Sequence, residues 1–282
     1  MKLLLMTLLV VGLSLVWFTT AGSCCCNKKK KNVQTPTKET IKGVYSEVAE
    51  TKGACSFGGK SCTCRANVSQ ELGYTREQLE ELAAANLGLG CGNPAQMAEI
   101  LPGQVIVDLG SGAGMDCFIV ASKVGPMGNV IGIDVSEQMV ALAKENAQKY
   151  GYTNVDFFVG NIEHLPLKSD FADAIISNCV MSLAIDKKRA FQEAWRVLKP
   201  GGTLFASDLV LYDELSFEQR NDTQLRGTCA LSAIAKDEYI ALLKEVGFTV
   251  TVLDEDREIA KKKFEKEDLP LISLHYKAHK KS

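Results

Sequence analysis

Residues 104–114, with the sequence QVIVDLGSGAG, join a short apolar run to a turn rich in glycine. The run at 104–109 is typical of a buried strand, because β-branched side chains pack well on a pleated surface. Glycine permits positive φ and lets the backbone approach a ligand closely. The glycines of this turn are Gly110, Gly112 and Gly114. With helical spacing following at 115–124, the stretch predicts a strand, a ligand-binding turn and a helix in succession.

Strand and helix patterns alternate along the rest of the chain. Further strands are predicted at 129–134, 155–159, 172–177, 203–208, 249–253 and 271–277. Further helices are predicted at 136–150, 186–198 and 236–246, and Thr75 is expected to cap another that ends at Asn86. Such alternation predicts an α/β fold with a mostly parallel seven-stranded sheet and helices on both of its faces.

The composition is that of an ordinary globular protein. The chain has 282 residues, of which 46% are hydrophobic and 23% charged, and its formal net charge is −2. These values exclude disorder throughout the chain. A dedicated nucleic-acid binder usually carries a surplus of basic residues, so nucleic acid is not an expected partner.

The amino-terminal residues 1–27 form a hydrophobic leader. Residues 3–27 carry no charge, and the apolar run lies between the lengths of a signal-peptide core and a membrane helix. Lysines at 28–31 favour an uncleaved anchor through residues 3–23 with a cytosolic domain behind it, because positive charge stays on the cytosolic side. Cleavage of the leader as a signal peptide, followed by export, is the alternative.

Three further segments follow the leader. Residues 28–40 are expected to form a polar linker. Residues 41–103 are expected to form a helical extension that contains four cysteines. Residues 104–282 contain all the predicted strands and therefore form the main domain.

Two aspartates follow the first two predicted strands. Asp108 lies beside the glycine turn, and Asp134 ends the second strand, 24 residues after Gly110. In open α/β sheets, ligands bind beyond the carboxyl ends of the strands. An acid at the end of the second strand is placed to accept the hydroxyls of a ribose. The pattern therefore predicts a site for a ribose-containing ligand.

Four motifs carry a resemblance to a known family. VIVDLGSGAG at 105–114 resembles the first motif of the class I S-adenosylmethionine methyltransferases, and VIGID at 130–134 resembles their acidic second strand. FADAIISNCV at 171–180 and FQEAWRVLKPGGTL at 191–204 resemble their fourth-strand motif and the helix and loop before their fifth strand. The resemblance implies a Rossmann-like fold with S-adenosylmethionine as the cofactor of residues 104–282.

The same resemblance implies which residues bind the cofactor. Asp134 would hold the ribose, and Ile162 and Glu163 would line the adenine pocket. Asp108 and the glycine turn would hold the methionine part. The full set that the resemblance assigns to the cofactor is Asp108, Gly110, Ser111, Gly112, Gly114, Asp134, Ile162, Glu163 and Asn178.

Two cysteines, Cys179 and Cys229, stand where a methyl acceptor is expected, and a third, Cys91, lies ahead of them in the chain. Cys179 follows the fourth strand, Cys229 lies between the fifth strand and the next helix, and Cys91 precedes the first strand. All three are expected to converge at the carboxyl edge of the sheet. Alternatively, cysteines are small buried hydrophobic residues, which is our interpretation of Cys117. The cysteines after Cys26 lack the paired CxxC spacing that structural zinc prefers, so zinc is disfavoured.

A trio of thiolates suits a soft centre that forms three bonds, and trivalent arsenic is one such centre. Arsenic bound by three sulfurs keeps a lone pair, which can attack the sulfonium methyl group directly. No proton leaves this nucleophile, so no general base is required. The chain has 3 histidines and shows no acid–base pair near the motifs, which agrees with this chemistry.

At this point the sequence resembles the arsenite S-adenosylmethionine methyltransferase family. The resemblance rests on LGLGCGNP at 87–94, DLGSGAGMDCF at 108–118, GNIEHLP at 160–166, SNCV at 177–180 and the later Cys229. It implies arsenite as the substrate, with Cys91, Cys179 and Cys229 as catalytic arsenic ligands and Cys64 as a further ligand. It also implies that Cys91 forms a disulfide during turnover and that thioredoxin or glutathione supplies the electrons.

Two other functions remain open from the residues alone. The chain would be a methyltransferase for a small organic acceptor if its cysteines were only buried, and such an enzyme usually needs a base near Asn178. The chain would be a thiol protein that sequesters metalloids if it had no enzymatic activity. In that case the glycine turn and Asp134 would have no role.

Overall fold

The computed structural model of the chain describes residues 36–52 and 68–282. The predicted leader and its proposed membrane contact at 3–23 lie outside these ranges, as do Cys55, Cys62 and Cys64. In the ranges that are described, no helix is both long enough and apolar enough to cross a membrane.

The strands form one sheet. They are β1 (Val105–Leu109), β2 (Asn129–Asp134), β3 (Val155–Val159), β4 (Ala172–Asn178), β5 (Leu198–Leu211), β6 (Thr249–Asp256) and β7 (Leu271–His279). Their order is β3-β2-β1-β4-β5-β7-β6, with β1 to β5 parallel and β7 antiparallel to both β5 and β6. The predicted mostly parallel seven-stranded sheet is confirmed, although β5 extends beyond the predicted 203–208 at both ends.

Helices connect the strands and cover the sheet. Those used below are α1 (Lys38–Glu50), α2 (Arg76–Glu81), α3 (Pro94–Met97), α4 (Met115–Val124), α5 (Glu137–Tyr150), α6 (Lys187–Val197), α7 (Phe217–Arg220), α8 (Cys229–Ser232), α9 (Lys236–Val246) and α10 (Glu258–Phe264). Helices α4, α5, α6 and α9 lie within one residue of the bounds that the apolar spacing predicts.

Two helices near the amino end differ from expectation. The side chain of Thr75 does cap α2, but α2 ends at Glu81 instead of Asn86, because the chain tightens there into turns such as Ala85 N–H to the carbonyl of Leu82. Helix α1 begins inside the segment expected to be a linker, because the side chain of Thr37 accepts a hydrogen bond from Thr40 N–H and caps it.

Strand β1 shows how the core is divided between the two faces of the sheet. Ile106 packs with α4 and α5 on one face, whereas Val107 and Leu109 pack with α6 and α9 on the other. Side chains alternate along a strand, so a strand with both faces covered is apolar throughout. Because β1, β2 and β4 run parallel, their carboxyl ends lie at the same edge of the sheet.

Candidate functional site

The glycine turn after β1 lies against the loop after β4. Gly110 has φ of +73° and Gly112 has φ of +52°, conformations in which side chains are strained. A Cβ added at Gly110 would overlap the side chain of Val180. The absence of side chains thus allows the turn to approach the carboxyl end of β4 closely.

A cavity opens beside this turn at the carboxyl end of the sheet. Its wall contains Cys179 and eight of the nine residues that the sequence assigned to the cofactor. These eight are Asp108, Gly110, Ser111, Gly112, Asp134, Ile162, Glu163 and Asn178. The ninth, Gly114, lies behind the wall, where an added Cβ would crowd the ring of Phe118. Gly114 therefore packs the turn onto α4 and does not line the cavity.

Asp134 is fixed by the backbone on both of its carboxylate oxygens. Its Oδ2 accepts a hydrogen bond from Gly112 N–H at 3.0 Å, and its Oδ1 accepts one from Ser136 N–H at 2.9 Å. Burial raises the pKa of Asp134, and these backbone bonds act in the opposite direction. Each oxygen of the carboxylate keeps a second lone pair. The geometry therefore fits a ligand that presents two hydroxyl groups.

Two further acidic side chains line the same cavity. Asp108 and Asp116 are both buried on the cavity wall. Burial raises the pKa of Asp108, and the charge of Asp116 raises it further. The buried hydroxyl of Ser111 has no hydrogen-bond partner among the described residues. A ligand with a positive charge and hydrogen-bonding groups would satisfy these two carboxylates and this hydroxyl. S-adenosylmethionine has both features.

Helix α1 closes one end of the cavity. Lys38 at its first position forms an ion pair with Glu163, with 2.6 Å between Nζ and Oε2. The other oxygen of Glu163 accepts a hydrogen bond from Ile185 N–H at 2.9 Å. The carboxylate of Glu163 is therefore held by protein groups on both oxygens. Its arrangement fixes α1 against the predicted adenine pocket.

The three predicted cysteines lie together in one buried cluster, which we call the thiol cluster: Cys91, Cys179 and Cys229. The Sγ atoms of Cys179 and Cys229 are 3.2 Å apart. Cys91 also hydrogen-bonds to Cys179, and its Sγ donates to the carbonyl oxygen of Ser207 at 3.3 Å. Cys179 is the member that lines the cavity.

A lysine lies against the thiol cluster. Lys263 on α10 donates to Cys179 Sγ at 3.1 Å and also to the carbonyl oxygen of Leu89. Hydrogen bonding with the sulfurs of Cys229 and Cys91, together with Lys263, lowers the pKa of the Cys179 thiol well below its usual value. Burial raises the pKa of Cys91, and the hydrogen bond to Cys179 raises that of Cys229. Of the three thiols, Cys179 is therefore the one whose deprotonation its surroundings favour.

The sulfurs of the thiol cluster are occupied by hydrogen bonds to one another and to nearby protein groups. Over residues 36–52 and 68–282, no group of three or more Cys, His, Asp or Glu side chains has the arrangement of a metal-ion site. The sulfurs contact one another, Lys263 and the carbonyl of Ser207. A thiophilic atom would bind here by replacing the hydrogen bonds among the three sulfurs with bonds to sulfur, while Lys263 can still donate to Cys179 Sγ.

Cys117 lies apart from the thiol cluster. It is fully buried in α4, and its Sγ lies 3.2 Å from Oδ2 of Asp108. Burial and the charge of Asp108 raise the pKa of this thiol. Cys117 thus behaves as a buried residue with a weak hydrogen bond, in agreement with its interpretation from the sequence.

Several residues of the site were not singled out from the sequence. Lys263 lies in a lysine-rich run, and no local signal separates it from Lys261 and Lys262. Tyr74 and Asp116 meet at 2.7 Å between the Tyr hydroxyl and Oδ1, across 42 residues of sequence. Asp116 lies two residues after Gly114. This closeness to the glycine turn was the available sequence signal that Asp116 belongs to the site.

Comparison with known proteins extends these observations. A family profile described as a methyltransferase domain matches residues 100–247, which include the glycine turn, Cys179 and Cys229. Arsenite methyltransferases of Halobacterium salinarum and Homo sapiens are each 39% identical to the chain over 223 and 220 residues, and each alignment covers 75% of the chain. The alignments cover 57% and 58% of those two relatives, so the chain spans less than two thirds of their length.

Solved structures show the same likeness. An arsenic(III) S-adenosylmethionine methyltransferase from Chlamydomonas reinhardtii is 29% identical and matches with a TM-score of 0.57, covering 76% of this chain and 73% of that one. A phosphoethanolamine N-methyltransferase from Haemonchus contortus, solved with S-adenosylmethionine, matches with a TM-score of 0.59 at 18% identity over 79% of this chain and 60% of that one. At that identity, the second likeness concerns the fold alone.

Proposed function

The chain belongs to the methyltransferase family whose domain spans residues 100–247, and on this premise we propose that it methylates trivalent arsenic with S-adenosylmethionine as donor. One observation carries the proposal: Cys179 belongs both to the cavity wall and to the thiol cluster. A methyl acceptor bound by these sulfurs would adjoin the cofactor. The similarity to proteins named arsenite methyltransferase supports the choice of acceptor.

The cofactor would be held by the residues of the cavity wall. S-adenosylmethionine, when bound, supplies a methyl group on a positively charged sulfur. Asp134 would accept hydrogen bonds from the two ribose hydroxyls, since each carboxylate oxygen can accept more than one hydrogen bond. Asp108 and Asp116 would face the charged methionine part, where a cation offsets the cost of burying two carboxylates.

Arsenite would bind to the thiol cluster by exchange. Each S–As bond that forms replaces one As–O bond, and the oxygen leaves as water with the proton of a thiol or, where the sulfur is already a thiolate, with a proton from solvent. Bound in this way by Cys91, Cys179 and Cys229, arsenic keeps the lone pair that accepts the methyl group. The chain would contribute mainly by positioning, an effect worth roughly 7–11 kcal/mol in well-oriented reactions.

Methylation oxidises arsenic from the trivalent to the pentavalent state, so two electrons must be returned. We propose that two thiols supply them by forming a disulfide that involves Cys91. Thioredoxin or glutathione would then reduce the disulfide and restore the thiols. Cys64, which lies outside the described residues, is proposed as a further arsenic ligand.

The proposed cofactor is a cytosolic metabolite, so we propose a cytosolic catalytic domain. Residues 3–23 are proposed to attach it to a membrane. Fractionation of cells that produce the full chain tests this: the protein should sediment with membranes and should become soluble when residues 1–27 are deleted. Recovery of a shortened chain outside the cell would contradict it.

Product analysis tests the proposed activity most directly. Purified protein, arsenite, isotopically labelled S-adenosylmethionine and a thiol should yield methylated arsenic that carries the label, detected by mass spectrometry. Labelled organic products with unchanged arsenite would favour an organic acceptor. Bound but unmethylated arsenic would favour sequestration.

Replacing Lys263 by methionine is expected to weaken arsenite binding. Methionine preserves the length of the side chain but cannot donate to Cys179 Sγ or to the carbonyl of Leu89. A hydrogen bond to a charged group contributes about 1.5–3 kcal/mol, so the dissociation constant should rise roughly tenfold or more. Equilibrium dialysis with arsenic quantified by atomic spectrometry measures this.

The neighbouring residue on α10 provides a matched control for Lys263. Lys262 forms an ion pair with Glu71 in which both side chains are about half exposed. Exposed ion pairs contribute little, so Lys262→Met should bind arsenite like the unaltered protein. Equal arsenite binding by Lys263→Met and Lys262→Met would show that the contact with Cys179 has no role in capture.

A further inference from the structure

The side-chain amide of Asn178 makes more contacts than any other polar group that we describe at the site. Its Oδ1 accepts hydrogen bonds from Cys91 N–H at 3.0 Å and Gly92 N–H at 3.3 Å. Its Nδ2 donates to the carbonyl of Gly92 at 2.8 Å, to Asp116 Oδ2 at 3.0 Å and to the hydroxyl of Tyr74 at 3.0 Å. Both ends of this amide are thus engaged by protein groups.

These contacts change the role that the sequence suggested for Asn178. Resemblance assigned it to the cofactor, and it does lie on the cavity wall. However, an amide offers two donor hydrogens and two acceptor lone pairs, and those of Asn178 already face five protein atoms. Its principal contacts are with the loop that carries Cys91 and with the acid Asp116 behind the glycine turn.

The loop at residues 90–92 lies close to β4, and the hydroxyl of Ser273 on β7 also donates to the carbonyl oxygen of Cys91. A Cβ added at Gly90 would lie 2.8 Å from Asn178 Nδ2 and 3.0 Å from its Oδ1. The glycine therefore allows the backbone to approach the amide directly. Asn178 is also the residue before Cys179, whose φ of +63° is unusual for a residue with a side chain and turns it out of the strand.

We propose that Asn178 is a positioning residue, which holds the backbone of Cys91 at the correct distance from Cys179 and ties both to Asp116 on the cofactor side. The inference rests on the proposed function for its biological meaning, because it explains how two ligands distant in sequence meet one acceptor. The positioning role itself concerns only the relative position of the Cys91 and Cys179 sulfurs. It can therefore be tested without arsenic.

Disulfide formation within the thiol cluster reports this placement. Diamide takes up two electrons and two protons from a pair of thiols as an S–S bond forms between them. Cys179 has two possible partners, Cys91 and Cys229, and Asn178 holds only the first. The ratio of the two disulfides, read by mass spectrometry of linked peptides under limited oxidation, therefore separates loss of alignment from general unfolding.

We expect Asn178→Ala to slow formation of the Cys91–Cys179 disulfide about tenfold, the change that loss of one or two neutral hydrogen bonds produces. The Cys179–Cys229 disulfide should form at its original rate in the same sample. Gly90→Ala should shift the ratio in the same direction, because its methyl group pushes the loop away from the amide. Asn154→Ala removes an amide that holds the Ala121 and Gly125 carbonyls elsewhere and should leave the ratio unchanged.

An exchange of residues tests the link to Asp116. Asn178→Asp keeps an acceptor for Cys91 N–H but faces Asp116 with a second carboxylate, so the Cys91–Cys179 disulfide should again form slowly. Adding Asp116→Asn lets residue 116 donate a hydrogen bond to the carboxylate at residue 178. The double variant should therefore recover most of the rate of Cys91–Cys179 disulfide formation. An unchanged ratio in both Asn178→Ala and Gly90→Ala, or an equal slowing of both disulfides in each, would overturn the proposal.

The proposed function is judged by a separate result. If Asn178→Ala and Gly90→Ala shift the disulfide ratio as expected but the unaltered protein does not methylate arsenite, the function fails and the positioning role stands. If it methylates arsenite and Asn178→Ala leaves the disulfide ratio unchanged, the positioning role fails and the function stands.

Discussion

Replacement of Cys179 by serine is expected to abolish arsenic methylation while S-adenosylmethionine still binds. Serine preserves the size of the side chain, but its hydroxyl is a hard ligand that binds trivalent arsenic much less well than a thiolate does. Arsenic held by only two sulfurs would shift relative to the cavity. Since a displacement of about 1 Å can cost about 10²-fold in rate, we expect a loss of at least that size in labelled product.

Two other cysteines supply the comparison for Cys179. Cys229→Ser should show a similar loss, because the two sulfurs are 3.2 Å apart in the same cluster. Cys117→Ser should retain most of the activity, because that thiol is buried beside Asp108 and outside the cluster. Calorimetric titration with S-adenosylmethionine should give similar affinities for all three variants. A Cys179→Ser protein that methylates arsenite at the original rate would exclude the thiol cluster as the arsenic site.

The sequence was sufficient for the sheet and for gathering most of the residues proposed for the cofactor around one cavity. Alternation of apolar runs and turn residues is a local signal, and β1, the glycine turn and α4 follow one another without a break. Because parallel strands end at one edge, Asp108, Asp134 and Cys179 had to be neighbours once the strands were assigned. The predicted fold is confirmed for this reason.

Long-range contacts account for what the sequence did not show. The backbone N–H of Cys91 donates to the amide of Asn178, 87 residues away in the chain. Lys263 reaches the sulfur of Cys179 because α10 is inserted between β6 and β7 and returns over the carboxyl edge of the sheet. Neither contact has a periodicity or a spacing that a reader of the sequence could recognise, so the resemblance to a family was needed to propose Cys91 as a ligand.

Replacement of Asp134 by alanine is expected to remove S-adenosylmethionine binding while arsenite binding persists. The carboxylate is proposed to accept two ribose hydroxyls, and hydrogen bonds to a charged group contribute about 1.5–3 kcal/mol each. Loss of both should raise the dissociation constant for the cofactor by roughly 10²-fold or more, measured by calorimetry. Methylation should fall in parallel, and it should recover in part at high cofactor concentration.

Controls for Asp134 separate its contact with the cofactor from its role in the fold, since alanine also leaves Gly112 N–H and Ser136 N–H without their acceptor. Asp134→Asn retains one acceptor oxygen and should give an intermediate affinity for S-adenosylmethionine. Asp156→Asn, at an exposed position of β3, should bind S-adenosylmethionine as the unaltered protein does. Arsenite dialysis shows whether the loss of methylation arises at the cofactor side or at the thiol cluster. In an enzyme, Asp134→Ala binds arsenite normally and does not methylate it, because the thiol cluster and the ribose contact are separate. If Asp134→Ala kept full affinity for S-adenosylmethionine in a folded protein, the cavity beside the glycine turn would not be the cofactor site.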